Sequence, residues 1–161
     1  METIDVEKRS SYVNFRVGKE HFAIGVKKVL EIILLEHLTH VPNTSSLIRG
    51  VLNFRGTIVP VIDMNYRFNG RQEDNSGNMV IVVEVNNKEN HALMGLLVDG
   101  VTDVMEFGYK DIRAIPDLGI KCNPEFLDGM VDNNDEFIMV LNTDKVLNLN
   151  ELAEIKDLKN A

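Results

Sequence analysis

The sequence has few of the features that mark secreted, membrane-embedded or catalytic proteins. Cys122 is the only cysteine, so no intrachain disulfide can form, and a small exported β protein without one would be unusual. The most apolar window, VLEIILLEHL, is too short to span a bilayer and is interrupted by Glu31 and Glu36. The polar N-terminus also lacks the apolar centre of a signal peptide. These absences predict a cytoplasmic protein without direct membrane insertion.

Positive charge is scarce as well. The formal net charge is -8, and no basic cluster is denser than Lys27-Lys28. A phosphate backbone would be repelled on average, so we expect no nucleic acid partner. With 44% apolar and 26% charged residues, the composition is that of a folded globular protein.

Motifs for common enzymatic chemistry are missing. The chain contains neither G-x-x-x-x-G-K-[ST] nor G-x-G-x-x-G, which cradle phosphates, and no G-x-S-x-G. His37 and His40 have a spacing that zinc ligands use, but no third His or Cys lies near them in the sequence. Cys122 has only Lys121 as a basic neighbour, which favours an inert thiol over a nucleophile. We therefore predict that the protein is not an enzyme and carries no cofactor or metal.

The acidic stretch DNNDE, residues 132–136, is the remaining candidate for cation chemistry. It lacks the glycine at the sixth position and the full ligand series of a calcium loop, so a turn is the preferred interpretation. A small hydrolase or a calcium-dependent activity using Asp132, Asp135 and Glu136 is the weaker alternative.

Short runs rich in Val, Ile, Phe and Tyr, separated by Gly, Asn and Asp, predict a mainly β protein. Residues 12–17 and 22–25 flank a hairpin turn at Gly18, and one or two helical turns are expected from Pro42 to Gly50. Residues 69–78 have the composition of a linker, and residues 1–11 that of a flexible segment. Apolar residues at three-residue spacing predict a C-terminal helix over 147–161.

The segment SLIRGVLNFRGTIVPVIDMN, residues 46–65, predicts two strands around a tight turn at Arg55-Gly56. Pro60 cannot donate to a sheet ladder, so we expect it at an edge or a bulge. Shifted by 79 positions, LIRGVLNFRGTIVPVID aligns without a gap with FLDGMVDNNDEFIMVLN. Upstream, FAIGVKKVLEI resembles ALMGLLVDGVTDV, and Val41-Pro42 corresponds to Ile115-Pro116. This repeat predicts two similar five-stranded barrels, over about 12–66 and 79–146, packed against each other.

Two charged residues stand among apolar neighbours. Glu31 lies within KKVLEIILL, and Arg55 occupies the turn of the first repeat, where the second repeat has Asn134. One interpretation is that each is solvated at a strand end or loop. The other is that they meet and pair on an apolar surface that a partner recognises, because an isolated charge in that frame is costly to bury.

At these residues the chain resembles a known family. The pattern I-x-G-V-x-N-x-R-G-x-I-V-P-V-I-D, residues 48–63, is similar to the signature of the CheW-like domain, which bacterial chemotaxis coupling proteins share with the regulatory end of the CheA histidine kinase. The similarity covers residues 12–146 as a single domain. It implies two five-stranded barrels of the Src-homology-3 type on a shared core. It also implies a non-enzymatic adaptor that couples methyl-accepting chemoreceptors to a CheA-type kinase and is recruited to membrane-associated receptor arrays.

The resemblance assigns residues to two binding surfaces. A groove between the barrels would receive the cytoplasmic hairpin tips of receptors, and it would be formed by Val29, Glu31, Ile32, Arg55, Val98 and Val101. A second surface would contact the CheW-like regulatory domain of the kinase through Gly50, Val51, Asn53, Gly129, Met130 and Asp132.

Two departures from the family pattern are expected to tune partner choice. The second-half DNNDEF is more acidic than in many relatives, and Tyr66-Arg67-Phe68 replaces a leucine-rich continuation. Neither a kinase nor a receiver domain accompanies the matched region, which favours a stand-alone adaptor. An adaptor of a non-flagellar chemosensory pathway, controlling surface motility or a second messenger, is the alternative.

Overall fold

The computed structural model describes residues 9–42, 44–69, 78–87, 90–115 and 124–146. The predicted helix over 147–161, Cys122 and all but the ends of the predicted linker lie outside these residues. Residues 9–11, expected in a flexible segment, belong to the first strand. No helix among the described residues is long and apolar enough to cross a membrane.

Within the described ranges, the chain forms ten strands and one short α-helix. The strands are β1 (Arg9–Val17), β2 (Glu20–Gly25), β3 (Val29–Leu34), β4 (Ile48–Phe54), β5 (Thr57–Asp63), β6 (Met79–Asn87), β7 (Asn90–Val98), β8 (Gly100–Gly108), β9 (Leu127–Asn133) and β10 (Glu136–Leu141), and the helix is α1 (Met64–Asn69). Single 3-10 turns occupy Val26–Lys28, Tyr109–Asp111, Pro124–Phe126 and Thr143–Lys145.

The strands form two five-stranded sheets, as the mainly β prediction required. Sheet I has the order β8-β1-β2-β10-β9, and sheet II has the order β3-β6-β7-β5-β4. Neighbouring strands are antiparallel except for the parallel pairs β2–β10 and β5–β7. The predicted assignment of one barrel to each half of the chain is wrong, because β1 and β2 complete the sheet of the second half and β6 and β7 complete that of the first. The chain crosses between sheets through the short connections at Val26–Lys28 and Asp99.

The internal repeat is confirmed for the hairpins β4–β5 and β9–β10. A shift of 79 residues places β4 on β9 and the start of β5 on the start of β10. The parallel ladders pair Val61 with Gly95 and Val140 with Ala23, so β2 corresponds to β7 with a shift of 72. The two sheets therefore have the same strand order under this correspondence.

Three clusters of buried residues make up the core. Two of the clusters each belong to one sheet. The cluster of sheet II includes Val59, Val61, Val80 and Val82. The cluster of sheet I includes Phe107, Val131, Ile138 and Val140. The largest cluster joins both sheets and includes Phe15, Phe22, Ile24, Ile62, Ile81, Leu96 and Val98. Phe22 also stacks on Phe68 of α1 with ring centroids 4.3 Å apart. A shared core of this size fixes the position of one sheet relative to the other.

The predicted helical turns ending at Gly50 are absent from residues 44–50. Gly50 lies within β4, beside a bulge in the pairing of β4 with β5. A Cβ atom there would lie 2.5 Å from the carbonyl oxygen of Thr39, and at Gly129 it would lie 2.5 Å from that of Arg113. The glycines are needed for close backbone approach rather than for ending a helix.

The helix α1 was not predicted. Asp63 precedes it and accepts a hydrogen bond from the backbone N–H of Tyr66 at 3.1 Å, which is the capping arrangement of a helix N-terminus. Pro60 lies on the inner strand β5, but the ladder to β7 begins one residue later, at Val61. The missing N–H of the proline therefore leaves no ladder bond unmade on that side.

Candidate partner-binding surfaces

The turn that presents Arg55 is a two-residue hairpin between β4 and β5. Phe54 pairs with Thr57, and both turn residues have positive φ, 52° at Arg55 and 86° at Gly56. The side chain of Asn53 accepts a hydrogen bond from the backbone N–H of Gly56 at 2.8 Å. Such turns match the twist of the flanking strands, although an arginine with positive φ is unusual. The turn thus holds Arg55 outward at the end of the hairpin.

Glu31 and Arg55 meet, as the second of the two interpretations predicted. An Nη atom of Arg55 lies 3.2 Å from Oε1 of Glu31, and the guanidinium lies 4.7 Å from the centre of the Phe54 ring. The side chain of Arg55 is 70% exposed and that of Glu31 is 43% exposed, so the pair is hydrated rather than buried. An exposed pair contributes about 0–1 kcal/mol to folding. Stability alone therefore gives little reason for its presence.

An apolar edge lies beside this pair. Strand β3 is one of the two outer strands of sheet II, and Leu30, Ile32 and Leu34 on it are exposed. Val29 and Val101 are partly buried and pack against the shared core. A hydrated ion pair next to exposed apolar side chains is typical of a protein contact surface.

Val98 does not belong to this surface. Its side chain is fully buried in the shared core, so it cannot contact a partner directly. The resemblance to the family had assigned Val98 to the groove, but Val98 ends β7, just before the chain crosses to β8. Burial at that crossing is a consequence of packing between the two sheets.

The residues assigned to the kinase surface lie on β4 and β9, the other outer strand of each sheet. Gly50 and Gly129 are buried, and Val51 and Met130 are half-buried, with backbone bridges to Thr39 and Arg113. The remaining two, Asn53 and Asp132, have exposed side chains. The edges of both sheets are thus accessible mainly at the hairpin ends.

Sequence reasoning missed several exposed apolar residues. These are Ile58 and Phe137, which occupy equivalent positions after the two hairpin turns, Val104 in the middle of β8, and Tyr109 just after β8. The repeat itself contained the signal for the first two, since a shift of 79 superposes them. The exposure of Ile58 and Phe137 adds an apolar contact site at the end of each hairpin.

A cavity of about 280 Å³ opens between β8 and β9 at one end of sheet I. Its lining includes Met105, Phe107 and Val131 together with three cationic and three acidic side chains: Arg9, Lys110, Arg113, Glu106, Asp111 and Asp132. Equal numbers of opposite charges give it no preference for a charged small molecule.

The acidic stretch 132–136 contains the turn between β9 and β10, at Asn134-Asp135, as the repeat predicted. Asn134 and Asp135 have positive φ, matching Arg55 and Gly56 in the first hairpin. Among the described residues, no three His, Cys, Asp or Glu side chains gather where they could hold a metal ion. His37 and His40 are both exposed.

A duplicated β fold that offers exposed charge pairs and apolar edges is the structure of an interaction scaffold. Known proteins identify it further: residues 11–151 match the model of the CheW-like domain family. The chain is 30% identical to a chemotaxis protein CheW of Klebsiella aerogenes over 147 residues, which covers 91% of this chain and 87% of that protein. It is 33% identical to the protein FrzA of Myxococcus xanthus over 136 residues, covering 83% and 82%.

Solved structures agree with the sequence relatives. The crystal structure of the scaffolding protein TtCheW from Thermoanaerobacter tengcongensis superposes with a TM-score of 0.76 at 25% identity, covering 89% of this chain and 96% of that one. The chain belongs to the CheW-like domain family, and it is a coupling adaptor of chemotaxis.

Proposed function

We propose that this protein, acting without catalysis, couples chemoreceptors to a CheA-type histidine kinase. The observation that carries the proposal is the exposed pair of Glu31 and Arg55, 3.2 Å apart, beside the exposed apolar residues of β3. The pair adds little to stability, so its value lies in what it offers a partner. The identity of the two partners, the receptors and the kinase, is inferred from the resemblance to the CheW-like domain family.

The receptor surface is the groove formed by Val29, Glu31, Ile32, Arg55 and Val101. A helix that lies in a groove needs apolar anchors and a few polar markers that fix its register. Ile32 and the partly buried valines supply the anchors, and the ion pair supplies the markers. The occupant is the cytoplasmic hairpin tip of a receptor.

The kinase surface is formed by the hairpin ends of β4 and β9. Asn53 and Asp132 present polar groups there, and Ile58 and Phe137 add apolar contacts. An apolar centre with a polar rim is the usual composition of a protein interface. The partner is the regulatory domain of the kinase, which the resemblance relates to this fold.

Activation of the kinase follows from the geometry of the complex. A single domain over residues 12–146 that binds both partners raises the effective concentration of kinase at the receptor and links their conformations. The adaptor works in the cytoplasm, at membrane-associated receptor arrays.

The test compares the native protein with Arg55→Glu in a sedimentation assay with receptor-containing membranes and the cognate kinase. The native protein brings kinase to the membrane and raises its autophosphorylation, and the variant does neither. Lys19→Glu, the same charge reversal in the exposed turn of the β1–β2 hairpin, is the matched control and behaves as the native protein. If the native protein binds neither partner, the proposal is wrong.

A second candidate is an adaptor of another chemosensory pathway. The protein FrzA, 33% identical over 136 residues, is a relative whose name does not include chemotaxis. Replacing the receptor membranes in the same assay with those of a non-flagellar pathway separates the two candidates.

A further inference from the structure

A polar cluster surrounds Asp99, where the chain crosses from β7 of sheet II to β8 of sheet I. The carboxylate of Asp99 accepts a hydrogen bond from the backbone N–H of Gly18, in the β1–β2 turn of sheet I. The side-chain amide nitrogen of Asn65, on α1, lies 3.4 Å and 3.3 Å from the two carboxylate oxygens. Because α1 follows β5, this first cluster joins sheet I to the end of a strand of sheet II.

A second polar cluster surrounds Asp144, in the 3-10 turn that follows β10 of sheet I. Its carboxylate accepts a hydrogen bond from the backbone N–H of Asn86, near the end of β6 of sheet II, at 2.9 Å. The ammonium group of Lys28 lies 3.2 Å and 3.1 Å from the two carboxylate oxygens. Lys28 ends the crossing from β2 of sheet I to β3 of sheet II. The second cluster therefore also joins the two sheets.

The two clusters occupy corresponding places in the repeat. In both, the carboxylate accepts an N–H at the end of the first strand of a hairpin, β1–β2 or β6–β7. Both also join a crossing that leads to an outer strand, β8 or β3, with the segment that follows an inner strand, β5 or β10. The carboxylate stands on the crossing in the first cluster and after the inner strand in the second. The same connection is thus made twice with different residues.

These contacts are less exposed than the ion pair at the β4–β5 turn. The side chains of Lys28 and Asp144 are 34% and 33% exposed, Asn65 is 1% exposed, and Asp99 is partly buried. Burial of apolar surface holds the sheets together but is non-directional, whereas hydrogen bonds to charged groups have preferred distances and angles. The clusters therefore restrict how each crossing can shift relative to the opposite sheet.

The segments that each cluster joins lead to both proposed binding surfaces. Val29 follows Lys28 directly, and Val101 lies two residues after Asp99, so each crossing leads into a proposed receptor contact. Strands β5 and β10, which precede the other side of each cluster, begin at the hairpin ends proposed to contact the kinase. The connection runs between the sheets, because the crossing to β3 is bonded to the segment after β10 and the crossing to β8 to the segment after β5.

We propose that the two polar clusters transmit receptor binding to the kinase surface of the opposite sheet, with Asp99 and Asp144 as positioning residues. The inference rests on the proposed function. Receptor contact displaces the start of β3 or β8, and the cluster passes the displacement to β10 or β5 because one carboxylate holds both segments. Loss of a cluster leaves each binding surface in place and lowers the coupling between them.

The test separates binding from activation. Lys28→Met removes the ammonium group and keeps an aliphatic side chain, and Asp144→Ala removes both bonds of the second cluster. Each variant should bind receptor-containing membranes and the kinase separately with a Kd within about twofold of the native value, whereas the autophosphorylation gained from the receptor should fall by about fivefold or more, as expected when coupling between two sites is lost.

Two controls accompany these variants. Lys28→Arg retains the charge and should activate the kinase as the native protein does. Asp128→Ala should also do so, because the Asp128 carboxylate accepts a hydrogen bond from Asn142 at 3.0 Å and joins β9 to the residue that follows the neighbouring strand β10. Circular dichroism establishes that each variant is folded. If Asp144→Ala does not fold, Asp99→Asn applies the same test to the first cluster.

The outcomes distinguish this inference from the proposed function. Cluster variants that bind both partners and activate the kinase as the native protein does refute transmission through the clusters. Loss of activation together with loss of binding to either partner also refutes it, because the cluster then supports one surface instead of linking two. If the native protein binds neither partner, the proposed function is wrong.

Discussion

The ion pair between Arg49 and Asp63 allows a quantitative prediction about the stability of the fold. Asp63 is fully buried, and one of its carboxylate oxygens lies 2.9 Å from Nη1 of Arg49. The other accepts the N–H of Tyr66 and caps α1. Asp63→Asn preserves the shape and the cap but leaves the guanidinium without its counter-charge.

Removing one partner of a buried pair costs about 3–5 kcal/mol. The side chain of Arg49 keeps 27% of its exposure, so water replaces part of the lost contact and the lower figure applies. For a domain of this size, about 3 kcal/mol lowers the Tm by roughly 6–12 °C. Urea unfolding followed by circular dichroism measures the change in the free energy of unfolding. The slope of that free energy against urea concentration should be the same in the variant and the native protein.

Two further variants make this prediction decisive. Asp132→Asn removes an exposed carboxylate and should change stability by less than about 0.5 kcal/mol. Adding Arg49→Met to Asp63→Asn should recover part of the loss, because no unpaired charge then remains. Equal stability of Asp63→Asn and Asp132→Asn would show that the pair does not contribute and that the argument from burial fails.

Three other predictions concern stability and pH. Gly50→Ala should destabilise the fold by about 1–3 kcal/mol, because its Cβ would lie 2.5 Å from the Thr39 carbonyl oxygen. Gly25→Ala should not destabilise the fold, because the space around Gly25 is open. Equal melting curves for the two variants would contradict this prediction. Arg55→Glu should cost less than about 1 kcal/mol and keep a dispersed NMR spectrum, and a collapsed spectrum would return Arg55 to a structural role. Burial, and secondarily the charge of Asp128, raise the pKa of Tyr12 above its usual 10.0. The native state therefore holds the hydroxyl proton of Tyr12 more tightly than the unfolded state does. The stability that this proton contributes is present below pH 10.0 and is lost as the pH rises through the folded pKa. Tyr12→Phe should remove this part of the alkaline destabilisation, and identical plots of stability against pH for the variant and the native protein would contradict this role of Tyr12.

The candidate surfaces were partly predictable because the repeat is visible in the sequence. Arg55 and Gly56 in a two-residue turn, and their counterparts Asn134 and Asp135, follow from local turn chemistry and alignment. The meeting of Glu31 and Arg55 remained one of two interpretations until β3 and the β4–β5 turn were placed together. Val98 shows the limit, because an apolar residue at a strand end has the same local pattern whether it lines a groove or fills a core.

The sequence by itself determined the strand class, the two-fold repeat, the hairpin turns and the family, since each depends on residues close together or on alignment of one segment with another. Tertiary structure alone decided that each half of the chain completes the sheet of the other, and which equivalent positions became different in use. Strand pairing across the two halves depends on contacts between distant residues, and local alternation is the same for either arrangement. Burial of Val98 and exposure of Val104 follow from that pairing, because it sets which edges pack against the shared core and which face solvent.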